Sequence, residues 1–224
     1  MPGIRAVIVD LDGTMVDTLG DFDVALNLTL KDLGRPAVTR AAIEHMVGKG
    51  SAHLIRSALM HGGLGAEAAD LVQPEAWTRY QGHYLAINGQ HSAVYPGVVE
   101  GLTALRARGL PLACLTNKPL SFARPLLQAK GLDGFFAHVF GGDSFQRTKP
   151  DPLPLFKTCE ALGTLPAHTL MQRAGLAVAR LARALAPHAR TIWIACGPGN
   201  NGGDGLIAAS ELKKLGIPHV CVSQ

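Results

Sequence analysis

The chain has 224 residues, 47% of them hydrophobic and 17% charged, with a formal net charge of +4. This is the composition of a soluble globular protein, large enough for one generous domain or for a core domain with an insertion. No apolar run is long enough to cross a bilayer, and residues 1–4 lead into a strand without a signal-peptide pattern, which excludes a membrane partner. Cys114, Cys159, Cys196 and Cys221 are far apart, in largely apolar surroundings and with no CxxC pair. They are expected to be buried free thiols in the cytoplasm.

The first element is a strand over residues 4–10, carried by Ala6-Val7-Ile8-Val9. A buried parallel strand takes this continuous β-branched form, and ligands gather where such strands end. Asp10-Leu-Asp12-Gly-Thr14 stands at that end. Carboxylates spaced i, i+2 leave the strand on one side and face one pocket. Gly13 allows the turn, and Thr14 is placed to cap the next element or bind an anion. Such a cluster can hold a hard cation while offering a carboxylate as nucleophile.

Residues 17–91 change to helical periodicity. Phe22, Ala25, Leu26, Leu30 and Leu33 form one apolar stripe, and Leu54, Ile55, Ala58 and Leu59 form another. Gly34-Arg35-Pro36, Gly48-Lys49-Gly50 and His61-Gly62-Gly63 punctuate them. The expectation is a helical cap inserted after the first strand, the core being 1–16 and 92–224.

From Tyr95 an alternating pattern begins. Helices over 98–108, 121–130 and 153–162 separate strands over 111–115 and 138–140, the signature of a parallel sheet. The first of these strands ends at Thr116-Asn117-Lys118-Pro119; the second is followed by Gly141-Gly-Asp-Ser144 and Lys149-Pro-Asp-Pro152. Thr116 and Asn117 could donate hydrogen bonds to an anion, and Lys149 could neutralise it. A carboxylate attacks a phosphorus only with such charge compensation.

These motifs resemble those of the haloacid dehalogenase-like hydrolases, and most closely their phosphoglycolate phosphatases, over about residues 1–163. The resemblance implies a Rossmann-like, doubly wound parallel sheet of five main strands with a helical cap, and a small phosphorylated metabolite as substrate. It implies that Asp10 is the nucleophile, Asp12 the general acid/base, and Thr116 and Lys149 the phosphoryl ligands. Mg²⁺ would be held by the Asp10 carboxylate and the Asp12 backbone carbonyl. Gly13, Thr14, Asn117 and Lys49 are candidate substrate contacts, Lys49 within a candidate specificity loop.

The pattern then changes. Four arginines and no acidic residue fall between 161 and 203; removing 4 from the 21 basic residues leaves 17 against 17 acidic in the rest. Arg173, Arg180 and Arg183 share one side of an amphipathic helix over 168–186, a solvated face and not a nucleic-acid surface. Its apolar stripe is Leu170, Ala174, Ala177, Leu181 and Leu185. A strand over 191–195, a glycine-rich loop through Gly205, a helix over 206–215 and a strand over 219–222 follow.

Where the phosphatases carry a further acidic metal motif, this chain has Gly197-Pro-Gly199-Asn200-Asn201-Gly202-Gly203-Asp204-Gly205. From about 165 onwards it resembles the NAD(P)H-hydrate epimerases. That resemblance implies nucleotide and K⁺ binding at the loop, through Asn200, Asn201 and Asp204. The two resemblances together point to an engineered chimera joined between 162 and 170, with phosphatase activity impaired and no epimerase chemistry. Asp204 is the candidate replacement metal ligand. A nucleotide-binding module and a fold chimera without catalysis are the alternatives.

Overall fold

The computed structural model describes residues 4–166, 169–196, 200–217 and 219–223. The chain divides into two compact units, Met1–Thr164 and Leu165–Gln224.

In the first unit, β1 (Val7–Val9), β4 (Leu112–Leu115) and β5 (His138–Phe140) form a parallel sheet in the order β1-β4-β5. The central strand is Leu-Ala-Cys-Leu with all four residues buried, as expected of a strand covered on both faces. Val9 pairs with Cys114, and Leu115 with Phe140, so the strands carrying the motifs end side by side. Helices α5 (Val98–Ala107), α6 (Leu120–Ala129) and α7 (Leu153–Ala161) alternate with them. In α6, Phe122, Ala123, Leu126 and Leu127 are buried, the i, i+1, i+4, i+5 pattern of one helix face.

The insertion leaves and returns through a short antiparallel pair, β2 (Val16–Asp17) and β3 (Ala93–Val94). Between them lie α1 (Leu19–Asp32), α2 (Arg40–Glu44), α3 (Ser51–His61) and α4 (Ala66–Ile87). The two sequence stripes are buried together with Tyr80, Tyr84 and Phe122, Leu33 lying partly buried at their edge. Phe122 reaches in from α6, its ring 4.7 Å from that of Tyr84. The return segment is pinned from both sides. The buried Asp21 carboxylate accepts from the backbone N–H groups of Gly89 (2.9 Å) and His91 (2.7 Å). Lys130 donates to the carbonyls of Gly89 and Ser92, each at 2.6 Å.

The second unit contains α8 (Thr169–Leu185), β6 (Thr191–Ala195), α9 (Asn200–Lys214) and β7 (His219–Ser223), with β6 and β7 paired in parallel. All five expected strands are present, where one sheet was expected: three pair in parallel within the first unit and two pair in parallel within the second. Two local expectations fail. Leu181 and Leu185 are 60% and 77% exposed, and α8 instead buries Ala179, which packs with Ala208, Leu212 and Ile217. Small residues allow close approach of α9, so the face with the smaller side chains is the one covered. Helix α9 begins at Asn200, not at Leu206; packing of Ala208 and Leu212 offsets the helix penalty of its glycines, about 1 kcal/mol each. Cys114 and Cys196 are buried free thiols, and the free Cys159 is only partly buried. No helix among the described residues is long and apolar enough to cross a membrane.

Candidate active site

Asp10, Asp12, Thr116, Asn117 and Lys118 line one cleft at the ends of β1 and β4, with about 430 Å³ of empty volume. Its opposite wall comes from the insertion: Phe22, Val47, Gly48, Gly50, Ser51 and Leu54. Five predicted or adjacent polar residues on the sheet side thus face a mostly apolar lid. Asp10 Oδ1 accepts from the backbone N–H of Leu11 at 2.8 Å, and its Oδ2 lies 2.8 Å from Lys149 Nζ. Lys149 also donates to the Leu115 carbonyl at 2.9 Å. The Asn117 side chain bonds both the N–H and the C=O of Lys149, each at 2.9 Å, and donates to the Gly48 carbonyl at 3.3 Å. Asn117 is therefore a brace between the lysine and the insertion loop, where an anion ligand was expected.

Asp12 Oδ1 accepts from Thr18 Oγ1 and from Lys118 Nζ, both at 2.7 Å. The Lys118 side chain is only 1% exposed, and its ammonium lies 4.4 Å from the Phe22 ring centroid and 4.9 Å from that of Tyr84. Burial, followed by the charge of Asp12, holds the Tyr84 phenol well above its ordinary range, so that ring stays neutral beside the cation. Removing one partner of a buried ion pair typically costs about 3–5 kcal/mol.

The loop carrying these groups is fixed by Gly141-Gly-Asp-Ser144. Gly142 N–H donates to the Lys118 carbonyl at 2.9 Å, and Asp143 accepts from the Leu120 N–H at 2.8 Å. Asp143 is thus a brace at the start of α6. Thr116 Oγ1 accepts from the Lys118 N–H at 3.1 Å.

Of the other expected site residues in the first unit, Gly13, Thr14 and Lys49 do not line this cleft. Gly13 adopts φ 73° in the turn and lines a neighbouring hollow with Asp12 and Thr18, while Thr14 is exposed. Lys49 is exposed between Gly48 and Gly50, the two glycines that line the cleft. Gly197 and Gly199, part of the loop expected to bind K⁺, fall outside the described residues. Asn200, Asn201, Gly202, Gly203 and Asp204 occupy the first turns of α9. Lys118 was not expected; its only sequence signal is a lysine directly after the Thr-Asn pair at a strand end.

Among the described residues, no three His, Cys, Asp or Glu side chains cluster to hold a metal ion. Asp10 and Asp12 supply two carboxylates whose oxygens already meet Lys149 and Lys118. Mg²⁺ favours six oxygen ligands, so these residues alone do not make a complete site for it.

A parallel sheet with adjacent strand-end aspartates, a lysine on the first and a helical insertion above them defines a hydrolase of the haloacid dehalogenase-like family. The chain belongs to that family: its model matches residues 4–171. A second model, the YjeF-related protein N-terminus, matches residues 167–224. The chain is 40% identical to the phosphoglycolate phosphatase of Thiobacillus denitrificans over 168 residues, 75% of this chain and 74% of that one. It is also 40% identical to that of Nitrosospira multiformis over 185 residues, 83% of this chain and 81% of the other. A predicted phosphoglycolate phosphatase from Haemophilus somnus superposes with a TM-score of 0.65 at 30% identity, covering 71% of this chain and 72% of its own.

Proposed function

We propose that the protein hydrolyses a small phosphomonoester, with 2-phosphoglycolate as the first candidate from the names of its relatives. The observation carrying this reading is the Asp10 carboxylate in the cleft, held 2.8 Å from Lys149 Nζ with Asp12 beside it. An Asp10 oxygen attacks phosphorus, forming an aspartyl-phosphate, while the ester oxygen leaves with a proton from Asp12. Asp12, now a carboxylate, accepts a proton from water as that water attacks phosphorus, releasing inorganic phosphate and restoring Asp10. Lys149 and Thr116 hold the phosphoryl oxygens, so that two anions can meet. The insertion, residues 17–91, acts as a lid that excludes water.

Turnover is impaired and its Mg²⁺ dependence weakened, because Gly197–Gly205 replaces the acidic motif that completes the metal site of the phosphatases. We read the chain as a chimera of two families, supported by the matches to residues 4–171 and 167–224. The second match also favours a subsidiary reading, nucleotide binding at the glycine-rich segment.

Phosphate release from 2-phosphoglycolate, with and without added Mg²⁺, tests the main reading. Slow release raised by Mg²⁺ and lowered about 100-fold or more in Asp10→Asn is expected. An Asp10→Asn variant as active as the parent overturns it, and fast Mg²⁺-saturated turnover overturns the impairment.

A further inference from the structure

Asp12 does not stand free in the cleft. Thr18 and Lys118 both donate to its Oδ1, which fixes the carboxyl plane and leaves Oδ2 without either donor. Lys118 comes from the end of β4, whereas the rings that cover its ammonium, Phe22 and Tyr84, come from α1 and α4 of the insertion. A cation taken from water and set between aromatic faces and one carboxylate makes a stronger, more directional hydrogen bond than a surface lysine does.

We infer that Lys118 is a positioning residue that orients Asp12 for proton transfer to the leaving group, with Phe22 and Tyr84 holding it in place. The inference rests on the phosphatase reading above. Seating of the insertion and orientation of the acid are thereby one event, since removing the aromatic cover admits water to the ammonium and frees the carboxylate to turn. A role exerted through a general acid has a consequence that a purely structural role lacks. Departure of an alkoxide such as glycolate needs a proton as the bond breaks, whereas p-nitrophenolate leaves with little help.

The test compares kcat for 2-phosphoglycolate and p-nitrophenyl phosphate in the full-length protein and in Lys118→Met, Phe22→Leu and Asp12→Asn. Lys118→Met should lose about 100-fold on phosphoglycolate, the lower end of a general-acid contribution, and about tenfold less on the nitrophenyl ester. Asp12→Asn should show the same preference. Phe22→Leu retains the lysine and should fall between, so it carries the test if circular dichroism shows Lys118→Met to be unfolded. Equal losses on both substrates overturn the inference and leave the phosphatase reading intact. A parent protein that turns over neither substrate overturns the phosphatase reading, and the inference with it.

Discussion

Cys114 lies in the buried central strand, and its thiol is pushed up to about 12. Burial is the main cause, the charges of Asp10 and Asp12 add to it, and Lys149 opposes it. The folded protein therefore keeps this thiol protonated where an unfolded chain, with the usual value of 9.0, releases the proton. The sign follows: the unfolded state binds fewer protons above that value, so stability falls as pH rises towards the folded value. The slope from this group approaches about 1.4 kcal/mol per pH unit. Denaturant midpoints taken between pH 8 and 11 should fall less steeply in Cys114→Ala than in the parent, and iodoacetamide at pH 9 should modify Cys114 slowly until the protein unfolds. Parallel pH profiles of the two proteins would show the thiol to be ordinary. At this scale the meeting of Asp10, Asp12 and Thr116 in one cleft, with Lys149 on Asp10, was legible because polar residues follow apolar strands there. Lys118 was not, because its importance comes from burial by Phe22 and Tyr84, residues distant in sequence.

The loop between β4 and α6 is placed by a second loop packed against it, and glycine is what permits the approach. A Cβ at Gly142 would lie 2.3 Å from the Asn117 carbonyl oxygen, and one at Gly141 would lie 2.5 Å from the Leu120 nitrogen. Both obstacles are backbone, so neither can give way without moving the loop that bears Thr116, Asn117 and Lys118. Gly142→Ala should therefore cost about 1–3 kcal/mol in chemical denaturation and lower phosphatase activity as well. Gly134→Ala is the control, because nothing lies within 4 Å of its added carbon. It should stay within about 0.5 kcal/mol of the parent. Equal effects from the two substitutions would remove the close-approach argument. The elements of the first unit were legible from periodicity because their apolar faces are continuous, as in Leu54, Ile55, Ala58 and Leu59 of α3. In α8 the same rule chose the wrong face: Leu181 and Leu185 stay exposed while Ala179 is buried. Periodicity marks a stripe but not which stripe a neighbouring helix covers, and the close packing of α8 on α9 favours small side chains.

The two units differ in what holds them. The first encloses two clusters of large side chains, among them Tyr80, Tyr84, Phe122, Leu26 and Leu112. Among the described residues, the buried cluster of the second is Ala179, Ala208, Leu212 and Ile217, packed with a two-stranded sheet on which Trp193 is 65% exposed. A pair of strands is marginal unless a helix or further strands cover it, and a unit of this size buries a smaller share of its surface than a larger domain does. The boundary at Leu165 coincides with the change in charge pattern and with the handover between the two family matches, so local stability should change there too. Native-state hydrogen exchange reads this directly, because amides report the free energy of the smallest opening that frees them. Amides of Thr191–Ala195 should exchange through an opening well below the global unfolding free energy, while those of Leu112–Leu115 exchange only with the first unit's full unfolding. Equal protection of the two strands would mean that the chain unfolds as one cooperative body, with the second unit drawing its stability from outside its own small core.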